Sequence, residues 1–309
     1  MKRFFVLLLF FAGELNSVPV HAQYYLYNDK YYDSPVLLEF GGSVGLMNCL
    51  TDLGGKKGIG KGFIKDLNMK NSKPSFSIYA TATWNDMIGL RLETTFGSIQ
   101  AYDSILKSVA PSTFGRYERN LSFKSKITDI QLSIEVHPLF IFNDYSSTDN
   151  EPPKLSPYLL AGIGYFSFNP QAELDGKWYD LQPLHLEGQG FTEYPDHKAY
   201  SLHQVNIPIG IGARYEINSF LNARLELVHR ILFTDYLDDV SSSYINPDLF
   251  ASYLPPGLAA IAQKLYDRQG ELNPSHISIV GGQRGNPKDK DAYFSFQLKI
   301  GIILGRPRK

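Results

Sequence analysis

The chain has 309 residues, 30 of them basic and 31 acidic, for a net charge of −1. That balance offers no basic excess to hold nucleic acid. A single cysteine, Cys49, excludes an internal disulfide framework and reads as one buried thiol.

The N-terminus runs Met1-Lys2-Arg3, then an apolar stretch Phe4 to Ala12, then Val20-His21-Ala22. A basic start, a short apolar core and a small residue at the cut site make residues 1–22 a signal peptide. The stretch is too short to cross a bilayer as a helix. Residues 23–34 form a tyrosine-rich segment, and 305–309 a short tail. After residue 22 no apolar run approaches the roughly 20 residues of a membrane helix. An exported chain of this kind either stays soluble or spans a membrane as strands. Aromatic residues make up 14% of the sequence, which fits the aromatic girdles of a membrane barrel.

Eight segments alternate apolar and polar residues: Pro35–Leu46, Ser75–Trp84, Met87–Phe96, Leu121–Pro138, Ser156–Phe168, Gln204–Ile217, Leu221–Phe233 and Ala292–Leu304. The last is the clearest. Phe294, Phe296, Leu298, Ile300, Ile302 and Leu304 share one face; Ser295, Gln297, Lys299 and Gly301 share the other. The fourth changes phase between Ile127 and Ile130, which reads as a bulge or the membrane boundary. The fifth is nearly all apolar or glycine.

Asn85-Asp86 and Asn218-Ser219 are tight-turn sequences. The connections near 50–74, 97–120, 169–203 and 234–291 are long and all follow odd-numbered segments, so they emerge on one side. Only 139–155 is a longer turn on the short side. This pattern predicts an all-β fold: an eight-stranded antiparallel transmembrane up-and-down β-barrel over 35–304, with long extracellular loops and short helices in the last loop. Alternation alone does not say which face is out, and a soluble barrel with its apolar face inside is the alternative.

The polar face carries Glu39, Arg91, Glu93, Glu135, Arg214, Glu216, Arg224, Glu226, Arg230 and Lys299, both signs in similar number. Eight strands enclose only enough space for side chains to fill. Arg91, Glu93, Glu135, Arg214, Arg224, Glu226 and Lys299 are therefore expected to form a salt-bridged network that plugs the interior.

Four loop sequences suggest chemistry. Gly55 to Gly62 approaches a phosphate loop, but Gly62 stands where a Ser or Thr must hold magnesium, so it reads as a flexible basic loop. On the outer face its Lys56, Lys57 and Lys61 could meet anionic lipopolysaccharide groups. Asp235, Asp238 and Asp239 could bind calcium but lack the alternate spacing and glycine of a calcium loop. Turn hydrogen bonds are their simpler use. His185 and Glu187, or His229 with Ser241–Ser243, could serve a hydrolase. In 246–268, Pro256 opens a helix whose Leu258, Ile261, Ala262 and Leu265 make an apolar stripe.

Several strings occur together: Met47–Gly54, Arg119–Phe123, Pro157–Gly164, Leu181–Leu184, Glu187-Gly188-Gln189-Gly190, Thr234-Asp235-Tyr236-Leu237-Asp238-Asp239-Val240-Ser241 and Arg284–Tyr293. On these the chain resembles the PorG-like outer-membrane β-barrel family of Bacteroidota. The resemblance implies a non-enzymatic barrel in the cell outer membrane, embedded in its lipid. It also implies a role in the type IX secretion system, tying a periplasmic ring of a lipoprotein and its partner to the membrane. No cofactor is implied. Contacts would lie at Gln23–Ser34 and Leu139–Leu155. The alternatives are a small outer-membrane lipid-modifying hydrolase and a surface-binding barrel that uses its long loops.

Overall fold

The computed structural model describes residues 35–54, 68–113, 115–143, 145 and 152–304. The signal peptide, the 23–34 segment, Lys56, Lys57, Lys61, positions 144 and 146–151 of the 139–155 turn and the 305–309 tail lie outside the described residues. Ten strands follow in order: β1 Val36–Leu50, β2 Lys73–Trp84, β3 Ile88–Tyr102, β4 Ser122–Val136, β5 Leu155–Ser167, β6 Pro170–Leu174, β7 Lys177–Asp180, β8 His203–Asn218, β9 Leu221–Leu232 and β10 Ala292–Leu304.

Eight of them close a barrel. Around it run β3, β2, β1, β10, β9, β8, β5 and β4, and β4 pairs back onto β3. Each pairing is antiparallel. β10 lies between β9 and β1, with Lys299 opposite Arg224 on one side and Ser43 on the other. The predicted eight-stranded fold is the observed one. The short hairpin β6–β7 was not predicted. It extends the sheet at the long-loop end, where β6 pairs with β4 through Gln171 and Lys124.

Three sequence expectations change. β3 runs on to Tyr102, and its register with β4 is unbroken from Ile88–Val136 to Tyr102–Ser122. The phase change in β4 is therefore not a bulge. Below it Ile130, Leu132 and Ile134 face outward; above it Phe123 and Ile127 face inward, because apolar packing replaces polar packing at that end of the lumen. Glu216 is half-exposed rather than enclosed. In the helix Pro256–Leu265 the buried face is Ala259, Ala262 and Leu265, while Leu258 points to solvent.

The exterior decides between the two barrel readings. Leu38, Phe40, Val44, Leu92, Leu132, Ile163, Ile211, Leu227, Leu298 and Ile300 are all exposed on the outer wall. Along β10 the apolar face runs from Phe294 to Leu304. At about 3.3 Å per residue and a strand tilt near 40°, that is a band ~25 Å tall, the height of a hydrocarbon core. Glu39, Arg91, Glu93, Glu135, Arg224, Glu226, Arg230 and Lys299 are all buried inside. A soluble barrel would put these faces the other way round. Among the described residues no helix is long and apolar enough to cross a membrane; the strands do so.

Candidate functional site

The lumen is filled in tiers. Its lower tier holds four carboxylates and three cations. Lys299 Nζ donates to Glu93 Oε2 at 2.6 Å and pairs with Glu226 Oε1 at 2.8 Å. Arg91 bridges Glu93 at 3.2 Å, Glu226 at 2.5 Å and Glu135. Arg224 pairs with Glu135 at 2.8 Å, and its Nε donates to Glu39 at 2.9 Å. The spare acceptor positions are met by neutral donors: Tyr158 on Glu226 at 2.6 Å, Asn222 on Glu39 at 2.8 Å, and Tyr79 on Glu39.

The two tyrosine rings also face the cations. Arg91 lies 5.3 and 5.6 Å from the Tyr79 and Tyr158 ring centres, Arg224 5.7 and 5.4 Å, and Lys299 5.1 Å from Tyr79. Glycine makes room for them. A Cβ on Gly212 would overlap the Tyr158 ring, and one on Gly301 would overlap Glu39 and Tyr79.

Six of the seven predicted network residues meet here. Arg214 does not. It pairs with Asp86 at 2.7 Å, at the short-turn rim. Asp86 sits at φ 55° in the Asn85-Asp86 turn, so that turn also supplies an ion-pair partner. A second tier lies nearer the long loops: Arg230 pairs with Asp129 at 2.6 Å and donates to Ser295 at 2.9 Å, and Asn206 donates to Asp129 at 2.9 Å. Asp129, Tyr79 and Tyr158 were missed in the sequence. The inward parity of β4 would have exposed Asp129; nothing local marks which tyrosines cross the lumen.

The upper tier is apolar. Met47, Ile99, Phe123, Ile127, Phe166, Leu232 and Tyr293 pack into one cluster with loop residues Leu184, Leu186, Val240, Ile245, Phe250 and Leu265. The long loops are thus folded into a cap over the barrel mouth. The helix Pro256–Leu265 packs into that cap through Ala259, Ala262 and Leu265, a face shifted from the stripe read in the sequence.

A buried polar cluster stitches the cap together, and each long connection contributes. Arg119 grips Asp103 with Nε at 2.8 Å and Nη2 at 2.9 Å. It also donates to the Asp52 carbonyl at 2.7 Å and the Arg284 carbonyl at 2.6 Å. Arg284 pairs with Glu187 at 2.9 Å. Glu187 accepts from the Ser241 and Ser242 amides at 3.0 and 2.9 Å, and from the Ser242 hydroxyl at 2.7 Å. In the same motif Gly188 and Gly190 take φ of 70° and 84°, where a side chain is strained, and Gln189 caps the Glu187 amide at 3.1 Å.

Asp235, Asp238 and Asp239 make loop hydrogen bonds, some local and some to other loops. Asp235 accepts from the Ser241 hydroxyl at 2.7 Å, Asp238 from the Leu53 and Val240 amides at 3.2 and 3.0 Å, and Asp239 from Tyr200 at 2.6 Å. Tyr236 stacks on Tyr200 with ring centres 4.8 Å apart. Among the described residues no three His, Cys, Asp or Glu side chains are grouped to hold a metal ion. Burial pushes the Asp235 and Asp239 carboxyls up to about 7. It raises Asp238 and Asp291 well above the ordinary range, with neighbouring carboxylates adding to the shift.

The hydrolase candidates do not assemble. Glu187 is occupied by Arg284, Ser241 and Ser242, and Ser241 by Asp235. His185 packs against the Phe191 ring at 6.0 Å, and burial lowers its pKa. His229 is on the outward parity of β9, beside Phe294 and Ile209. Cys49 is a buried free thiol, as its sequence context suggests.

The fold and its exterior define a class: a membrane-spanning β-barrel with a filled lumen and a folded cap. No family model and no curated protein matches the sequence. Solved structures that align include Ail, the attachment invasion locus protein of Yersinia pestis, in complex with the heparin analogue sucrose octasulfate. It is 8% identical, with 87% of this chain and 97% of that one covered and a TM-score of 0.36. Neisserial surface protein A aligns at 9% identity, 87% and 97% coverage and a TM-score of 0.36. The N-terminal β-barrel domain of Pseudomonas aeruginosa OprF aligns at 8%, 88% and 98%, with 0.34. The fold assignment stands on the chain's own strand pairing.

Proposed function

We propose that this protein is an exported outer-membrane β-barrel that works as a non-enzymatic scaffold, anchoring the periplasmic ring of a type IX secretion complex. The observation that carries the scaffold reading is the filled lumen. Paired charges, a second ion-pair tier and an apolar seal leave the barrel to act through its ends and not as a pore. The assignment to type IX secretion rests on the resemblance of the loop motifs to PorG-like barrels.

Crosslinked outer membranes test it directly. The ring lipoprotein and its partner should co-purify with the tagged barrel, and deletion should stop export of proteins bearing the type IX signal. Trimming 139–155 to a tight turn should keep heat-modified gel mobility and lose the ring. Normal export in the deletion strain would rule the role out. Surface binding is the second reading, and one observation favours it: the long loops fold into a single cross-linked cap.

A further inference from the structure

The cap carries a cavity of about 390 Å³ that no part of the scaffold role uses. Three connections line it: Thr51 and Asp52 after β1, Arg116 and Arg119 after β3, and Gln269, Gln283 and Asp289 in the last loop. Its base is rigid. Arg119 and Arg284 are buried there, and their guanidinium groups are already committed to Asp103 and Glu187. Gly285 lets the base close, because a Cβ there would press on Asp52 and the Ser241 backbone. Three of the sequence strings singled out above, 47–54, 119–123 and 284–293, meet at this one place.

The lining selects a ligand by elimination. Among the described residues it presents no Leu, Ile, Val or Phe side chain, and Tyr244 is their one aromatic ring at the wall, so an apolar peptide anchor finds no aliphatic pocket there. An anion would meet Asp52 and Asp289 while the two buried arginines are neutralised by their partners. A cation would meet Arg116, and no three-ligand metal set exists among the described residues. What remains is a wall of fixed donors and acceptors. Gln283 donates to the Gly285 carbonyl at 3.0 Å, and Asn286 donates to Asp289 at 2.8 Å. Asp52 accepts from the Asn286 amide at 2.6 Å. Hydroxyl groups, each both donor and acceptor, are the chemistry that such a mixed wall satisfies. The volume lies in the range of small-ligand sites.

We infer that this cavity is a binding site for a neutral, polyhydroxylated ligand: a short uncharged carbohydrate. The site is independent of the secretion role, and its test uses purified protein in detergent. Isothermal titration and saturation-transfer NMR would be run with a panel of neutral disaccharides including maltose and lactose. A glucuronate-containing disaccharide, spermidine and triglycine serve as anionic, cationic and peptide probes.

At least one neutral disaccharide should bind, protecting amides 283–289 from hydrogen exchange. The variant Gln283→Ala with Asp289→Ala, both at the exposed rim, should weaken it at least tenfold with unchanged heat-modified mobility. Gln283→Glu alone is a second, milder probe and should weaken it several-fold. No binding by any neutral sugar, tighter binding of a charged or peptide probe, or equal affinity in both variants would overturn the assignment. None of these outcomes bears on ring co-purification.

Discussion

Lys299 shows how one residue changes meaning between sequence and fold. In the sequence it interrupts an apolar run. In the barrel it is fully enclosed and holds Glu93 and Glu226 together. Removing it leaves the two carboxylates sharing the single positive charge of Arg91, which also serves Glu135. Breaking a buried ion pair from one side costs about 3–5 kcal/mol, so Lys299→Ala should unfold well below the wild type in heat-modified gels. Equal mobility across temperature would contradict the inward placement. Gly212→Val makes a sterically distinct prediction. Its side chain would overlap Tyr158, displacing the phenol that donates to Glu226. A loss of several degrees is expected, and Gly212→Val with Tyr158→Phe should recover little, since the ring remains.

At the scale of elements, the barrel and the cap should respond differently to change. Arg284 joins Glu187 to the Asp239 and Tyr266 carbonyls, all within the cap. Arg284→Ala should make the 234–291 loop protease-sensitive while the strands stay protected. pH should act in the same place. Asp235 and Asp239 titrate near 7 in the folded cap, against about 4 in an unfolded loop. A raised folded pKa means the cap is firmest below about pH 4 and weakens as pH rises through about 7. Hydrogen exchange of residues 235–241 should therefore quicken, after correction for intrinsic rates, between pH 5 and 8, with β1–β5 unchanged. A cap equally protected across that window would remove the proton dependence.

At the scale of the whole molecule, the filled lumen predicts that purified protein in planar bilayers shows no steady conductance. Steps that survive Phe123→Ala or Leu232→Ala controls unchanged would argue for a path other than the apolar seal. The outer belt and inner charges also explain why the molecule is stable only with its faces this way round. Apolar side chains meet lipid at no loss, and the charges of the two lumen tiers are paired with partners of opposite sign.

Much of this architecture is legible in the residues. Period-two alternation gave the eight wall strands, because every second side chain of a strand must share an environment. The Asn85-Asp86 and Asn218-Ser219 turns and the long connections after odd strands gave the sidedness. The residues on one face of β9, Arg224, Glu226 and Arg230, already implied a charged interior. Other features belong to the closed barrel alone. Which face is out depends on the solvent each side meets, and alternation is symmetric to that choice. Arg214 pairs with Asp86 and not with the network because their separation in space is set by barrel closure, not by spacing along the chain. The cap cluster joins Asp52, Arg119, Glu187 and Arg284 across more than half the sequence. Its members look like ordinary loop polar residues until the loops converge, and only the partners met there show that Arg119, Glu187 and Arg284 hold separate loops together.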